Sequence, residues 1–149
     1  MIRTADLYDH YAEKLQIAAP IFTNFGGCES FSGSIVTLKV FEDNTLVRST
    51  LESNGSGKTL VIDGGGSLRC ALLGDNLAKI AYENSWSGLI INGCVRDSRE
   101  LLNIGIGIKA LACNPAKSNK RGEGQSGINI NFAGVNFIPG QHLWSDSDG

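Results

Sequence analysis

The sequence predicts a layered, mixed α/β fold in a single domain over residues 1–149, and three observations carry that expectation. Strand-like and helix-like segments alternate early in the chain, whereas strands cluster late. The runs Leu60-Val61-Ile62 and Gly88-Leu89-Ile90-Ile91 are apolar without alternation, as in strands covered on both faces. Glycines, 19 of 149 residues, fall between short β-branched runs and not in one linker. They therefore mark many tight turns within one domain.

The elements follow in order. Thr4 or Asp6 is placed to cap a first helix through Leu7, Tyr8 and Tyr11. The turn Asn24-Phe25-Gly26-Gly27 leads to Ser34–Val40, which alternates like a half-buried strand. Asp43 or Asn44 starts a short helix through Leu46, Val47 and Leu51. Thr59–Asp63 is a buried strand, followed by Gly64-Gly65-Gly66. Asp75 opens a helix to Tyr82 whose positions Leu77, Ile80 and Ala81 follow the i, i+3, i+4 rule. Gly88–Asn92 is a second buried strand, and Ser98 caps a short helix through Leu101 and Leu102. Ile106–Cys113, Ile128–Phe132 and Val135–Ile138 read as strands. A polar loop containing Lys117, Lys120 and Arg121 separates the first two of these.

Composition excludes several classes of function. Hydrophobic residues at 42% and charged residues at 19% are ordinary globular values and argue against disorder. A net charge of −2 leaves no basic footprint for direct nucleic-acid binding. The apolar runs fall far short of a bilayer span, and Asp6 sits where a signal peptide would begin its apolar core. No membrane partner is expected, and a cytoplasmic protein is. Cys28, Cys70, Cys94 and Cys113 are scattered without a Cys-x-x-Cys pair and have small or apolar neighbours, so they read as reduced core thiols and not as a zinc site. His10 and His142 are far apart and read as surface or hydrogen-bonding residues.

Two glycine motifs are decoys. Gly55-Ser56-Gly57-Lys58-Thr59 resembles the end of a phosphate-binding loop, but Glu52 stands where the first glycine belongs. The segment also runs into a strand and not a helix. Gly64-Gly65-Gly66 lacks the spaced G-x-G-x-x-G form, and the next strand leads into Asn92 without an acidic ribose partner. A glycine triplet after a buried strand is nevertheless expected to expose amides to a small anion.

Two strand ends are expected to converge, one continuing into Asp63-Gly64-Gly65-Gly66 and one into Arg96-Asp97, because ligands of α/β sheets collect beyond strand carboxyl ends. Between them Asp75 opens a helix whose free amides at Asn76 and Leu77 suit an anion. Arg96 offers a planar fork to a carboxylate. Asp97 is a hard oxygen ligand for magnesium or manganese, which keep most of their waters. Asp75 is placed to orient or deprotonate a metal-bound water. Taken singly, Asp75 reads more readily as a helix cap, and Arg96 with Asp97 as an ion pair in a turn. Together they describe a pocket for a 2-oxo acid.

The spacing Gly74-Asp75-Asn76-Leu77, twenty residues from Asn76 to Val95, then Arg96-Asp97 resembles the RraA-like family, which contains 4-hydroxy-4-methyl-2-oxoglutarate aldolases and regulators of ribonuclease E. Glu100, three residues after Asp97, matches an acidic position of the family. Asn24-Phe25-Gly26-Gly27, Phe41-Glu42-Asp43-Asn44, Val61–Ser67, Phe132-Ala133-Gly134-Val135 and His142–Asp146 extend the likeness over nearly the whole chain.

The resemblance implies a β/β/α swivelling-type domain with a mixed sheet, assembled as a ring-shaped homotrimer with sites at subunit borders. It implies a metal-dependent carbon–carbon lyase that cleaves 4-hydroxy-4-methyl-2-oxoglutarate-type acids through a pyruvate enolate and decarboxylates oxaloacetate as a side activity. Gly74, Asp75, Asn76 and Leu77 would hold substrate oxygens through helix-start amides. Arg96 would bind substrate and steady the enolate, Asp97 would hold Mg2+ or Mn2+ largely through water, and Asp75 would help the water that takes the 4-hydroxyl proton. No lysine lies in these segments, in keeping with a mechanism that needs no Schiff base. The family's chains continue beyond the position of Gly149 with an apolar strand and short tail, which residues 1–149 do not include. The alternative role is that of a protein that binds and inhibits ribonuclease E. Asp97, needed by the enzyme and dispensable to the regulator, favours the enzyme.

Overall fold

The computed structural model describes residues 1–149. Its elements, in order, are α1 (Thr4–Tyr11), β1 (Thr23–Asn24), β2 (Phe31–Lys39), α2 (Thr45–Leu51), β3 (Lys58–Asp63), β4 (Ala71–Leu73), α3 (Asp75–Glu83), β5 (Gly88–Val95), α4 (Ser98–Leu101), β6 (Gly107–Cys113), β7 (Gln125–Ser126), β8 (Ile130–Phe132), β9 (Val135–Phe137) and β10 (His142–Ser145). A mixed sheet runs in the order β1-β6-β5-β3-β2-β10, with β4 beside β5 and β7 beside β2. The neighbours β2, β3, β5 and β6 are parallel, while β1, β7 and β10 pair antiparallel at its margins. No helix is long and apolar enough to cross a membrane.

Both faces of the parallel strands are covered, which accounts for the unbroken apolar runs. Leu60, Ile62, Leu89 and Ile91 join Val47 and Leu51 of α2, Leu77 and Ala81 of α3, and Leu101 of α4 in one core. The intervening Val61 and Ile90 face a second core made with Phe132, Val135 and Phe137 of the β8–β9 hairpin. The result is three layers: hairpin, sheet, helices. A seven-residue helix such as α2 is too short to persist in water alone. It is held by burial of Val47 and Leu51, each worth roughly 1.5–3 kcal/mol. The ring of Phe31 lies across the paired Gly88 and Gly107, where an added Cβ would come within 2.2 and 2.0 Å of it. No larger residue fits at either position.

Several helix ends differ from expectation. Neither Thr4 nor Asp6 caps α1: Arg3 holds the cap position, and both the amide and hydroxyl of Thr4 donate to Asp146. Asp97, not Ser98, occupies the cap position of α4. The buried cysteines are Cys70 and Cys94, whereas Cys28 is half-buried and Cys113 is exposed, so the core reading fails for two of four. The segment Gly55–Thr59 is a turn entering β3, with Gly55 packed under Trp86.

Asp43 is the anchor between α2 and the loop of residues 114–124. Its carboxylate is 2% exposed and accepts from the Thr45 amide and hydroxyl and from the amides of Arg121 and Glu123. Burial alone would raise this carboxyl, but the four donors outweigh it and lower it from 3.8 to about 2. A lowered folded value contributes stability that is present above the unfolded value and lost as pH falls through the folded one. Replacing Asp43 by Ala should therefore cost on the order of 3 kcal/mol in urea unfolding at neutral pH. The gap in urea midpoint between the wild type and Asp43→Asn should be constant above about pH 4 and close as pH falls towards about 2. A pH-independent gap would remove Asp43 as the cause.

Candidate active site

The parallel strands deliver their carboxyl ends to one side of the sheet, and there β4, β5 and the start of α3 enclose a cleft of about 240 Å³. Gly74, Asp75, Asn76, Leu77, Arg96 and Asp97 all line it, so every residue of the expected set is brought together. The geometry that does this starts at the end of β5. Asp97 adopts φ 58° and ψ 41°, a left-handed conformation uncommon outside glycine, asparagine and aspartate. This turns its side chain back, so that Oδ2 accepts the Asp75 amide at 3.0 Å. Asp97 thus serves as the missing cap of α3, whose own cap residue, Gly74, has no side chain to offer. The fit is close: a Cβ on Gly74 would lie 2.6 Å from Asp97 Oδ2 and 3.3 Å from Arg96 Cγ.

The Asp75 amide is thereby taken by protein, while the amides of Asn76 and Leu77 make no backbone hydrogen bond. These two donors sit at the positive end of the α3 dipole and suit a carboxylate or oxo oxygen. The Asp75 carboxylate lies 3.4 Å from Lys79 Nζ. Burial would raise it, but the ammonium of Lys79 beside it prevails and holds it below the ordinary carboxylate value. An ionised, weakly basic group of this kind orients a water better than it deprotonates one.

Arg96 is exposed, its amide bound to Leu73 O and its guanidinium donating to Pro115 O at 3.4 Å. It makes no ion pair with Asp97, and the ion pairs of the chain lie at Arg3–Asp6, Arg69–Glu42 and Lys79–Asp75. The turn ion-pair reading of Arg96-Asp97 is therefore set aside. A second opening of about 280 Å³ lies beyond the same two residues, bordered by Ser98, Cys113 and Asn114. Glu100, on α4, lines neither opening.

The glycine triplet departs from expectation. Gly64 and Gly66 donate their amides to Asn92 O, and Gly65 donates to Asp63 Oδ1. All three amides are consumed internally, and Asp63–Gly66 do not line the cleft. The triplet offers nothing to a small anion or a cofactor phosphate. Its conformation is imposed by the turn, with φ of 67° and 71° at Gly65 and Gly66.

Sequence reasoning missed another part of the cleft. Arg48 of α2 and Lys117, Ser118 and Lys120 of the loop also line it. The segments around Gly74 and Arg96 lack lysine, yet the fold brings Lys117 and Lys120 to the cleft from a separate loop. The loop is brought in by Asp43, by the Asn119 amide on Glu42 O and by the Ala71 amide on Ala116 O. The Phe41-Glu42-Asp43-Asn44 segment was the available signal, since a carboxylate there with both flanking groups polar suggests more than a helix cap.

No group of three or more His, Cys, Asp or Glu side chains converges here or elsewhere. Zinc-like all-protein coordination does not fit. A water-rich magnesium or manganese ion does, because it needs only one or two carboxylates, and Asp97 with Asp75 supplies them beside Arg96 and the free amides.

Comparison with known proteins places this geometry. Residues 4–149 match the RraA-like (Aldolase/RraA) family. A protein of Pseudomonas putida (strain W619) with the provisional name 4-hydroxy-4-methyl-2-oxoglutarate aldolase is 52% identical over 146 residues, covering 98% of this chain and 90% of its own length. One of the same name from Burkholderia mallei (strain SAVP1) is 48% identical, covering 100% and 93%. Among solved structures, the RNA-processing inhibitor RraA from Thermus thermophilis superposes with a TM-score of 0.96 at 48% identity, over 100% of this chain and 90% of that one. A Geobacillus kaustophilus protein described as an S-adenosylmethionine: 2-dimethylmenaquinone methyltransferase superposes with a TM-score of 0.97 at 47% identity, over 99% and 92%. With its three-layer mixed sheet and its cleft at the α3 start, the chain belongs to the RraA-like family.

Proposed function

We propose that the protein is a divalent-metal-dependent carbon–carbon lyase that cleaves 4-hydroxy-4-methyl-2-oxoglutarate-type 2-oxo acids to pyruvate, and that it decarboxylates oxaloacetate by the same chemistry. The observation that carries this reading is the convergence of Arg96, Asp97 and the free Asn76 and Leu77 amides on one cleft. The names of the aldolase relatives point the same way.

In this reading Asp97 would hold Mg2+ or Mn2+, with Asp75 beside it to orient a water, and the ion would supply Lewis-acid chemistry to a bound 2-oxo acid. The substrate carboxylate lies against the Asn76 and Leu77 amides, and Gly74 keeps the backbone open at that point. A water oriented by Asp75 takes the proton of the 4-hydroxyl as a carbonyl forms at C4 and the C3–C4 bond breaks. Its electron pair passes to C3 and the 2-oxo oxygen as an enolate. Arg96 faces the charge that develops there, usually the largest catalytic contribution. Return of that proton from the same water to C3 gives pyruvate. In oxaloacetate the bond to the 4-carboxylate breaks instead, carbon dioxide leaves, and the same enolate results. Lys117 and Lys120 need form no Schiff base, since the enolate is stabilised electrostatically. We further propose a homotrimer with sites at subunit borders.

A second reading, binding and inhibition of ribonuclease E, is favoured by the likeness to the Thermus thermophilis RNA-processing inhibitor. It is compatible with the first, and a pull-down on the ribonuclease E scaffold tests it. Retention without turnover would make the regulator the primary role.

With magnesium, the protein should release pyruvate from 4-hydroxy-4-methyl-2-oxoglutarate and from oxaloacetate, and chelation of the metal should stop it. Arg96→Ala and Asp97→Ala should each lower kcat/KM at least 100-fold. Equal turnover by these variants would exclude the site. Gly74→Ala, whose methyl group would displace Asp97 Oδ2, should lose roughly 10- to 100-fold in activity. Its melting temperature should fall by only a few degrees, and full activity in this variant would contradict the proposed fit.

A further inference from the structure

The cleft holds more positive charge than a monocarboxylic keto acid uses. Arg48, Arg96, Lys117 and Lys120 face it against only Asp75 and Asp97, in a chain whose net charge is −2. Arg96 and the α3 amides are committed to the pyruvyl half of the substrate. Arg48, Lys117 and Lys120 are not, and none of the three has a carboxylate partner or a side-chain hydrogen bond within the protein. Arg48 projects from α2, which is fixed by its buried Val47 and Leu51, while the two lysines sit on the segment that Asp43 pins to that helix. Between the lysines, Ser118 is 7% exposed and its hydroxyl has no partner. Three unpaired cations gathered on one wall repel one another and favour an anion among them.

We propose that Arg48, with Lys117 and Lys120 deepening the local potential, reads a second carboxylate on the substrate, the one that leaves with the C4 carbonyl product. The assignment rests on the aldolase reading above. It makes Arg48 a specificity determinant: its planar fork pairs with a carboxylate in a fixed orientation, which a lysine does less well. A substrate lacking that carboxylate leaves the three cations uncompensated and is cleaved with a lower kcat/KM.

The test uses the magnesium-loaded protein with two substrates that share the pyruvyl half, 4-hydroxy-4-methyl-2-oxoglutarate with two carboxylates and 4-hydroxy-2-oxopentanoate with one. The wild type should prefer the first. Arg48→Gln should lower kcat/KM for the dicarboxylate about 10- to 100-fold, mostly through KM, and change the monocarboxylate less than about threefold. Lys117→Gln should act in the same direction but more weakly, and Arg48→Lys should recover part of the loss. Equal effects on both substrates, or none on either, would overturn the assignment while leaving the aldolase intact. Failure of the wild type to cleave either substrate would overturn the aldolase reading and the assignment with it.

Discussion

The site depends on one hydrogen bond, from the Asp75 amide to the Asp97 carboxylate at 3.0 Å. It joins the end of the strand β5 to the start of the helix α3, two positions 22 residues apart in the chain. Three features follow from it. The left-handed backbone of Asp97 aims its carboxylate back at the helix and leaves Arg96, one residue earlier, facing the cleft. The absence of a side chain at Gly74 gives that carboxylate room. With the first amide of α3 satisfied, the next two remain for a ligand. Strain of this kind, held by surrounding structure, is characteristic of functional sites. Here it places a hard oxygen, a guanidinium and two amides around one small volume.

A second carboxylate, Asp43, does for the rim what Asp97 does for the base. It is nearly inaccessible and is satisfied by four donors from α2 and from residues 121 and 123. Because those donors come from both segments, α2 and the lysine-bearing loop are fixed relative to each other. The electrostatics of the cleft are thus set by two buried or half-committed acids that bring cations to the surface around them, and not by the mild overall charge of the chain.

Much of the fold was legible in the sequence because burial on both sheet faces leaves a mark that no alternating pattern can mimic. Thr59–Asp63 and Gly88–Asn92 were recognisable for that reason, as was α3 from Leu77, Ile80 and Ala81. The missed strands, β1, β4, β7 and β10, have two to four residues each and exist through pairing with a longer neighbour, so they have little local signature. The base of the cleft was legible because Asp75 and Arg96-Asp97 sit at element ends, where ligands gather. The glycine triplet misled because its amides are satisfied by Asn92 and Asp63, a tertiary fact. Arg48, Lys117 and Lys120 were hard to read for the converse reason: tertiary bonds of Asp43, Glu42 and Ala71 bring their segments together, and Phe41-Glu42-Asp43-Asn44 gave the one local hint.

The central claim is that the Asp97 carboxylate, while capping α3, also holds a divalent cation through water. Manganese binding followed by water-proton relaxation tests it without reliance on turnover. The wild type should bind one Mn2+ per chain with enhanced relaxation from its retained waters, magnesium should displace it, and Asp97→Asn should abolish the enhancement while the fold persists by circular dichroism. Undiminished manganese binding in Asp97→Asn would contradict the account.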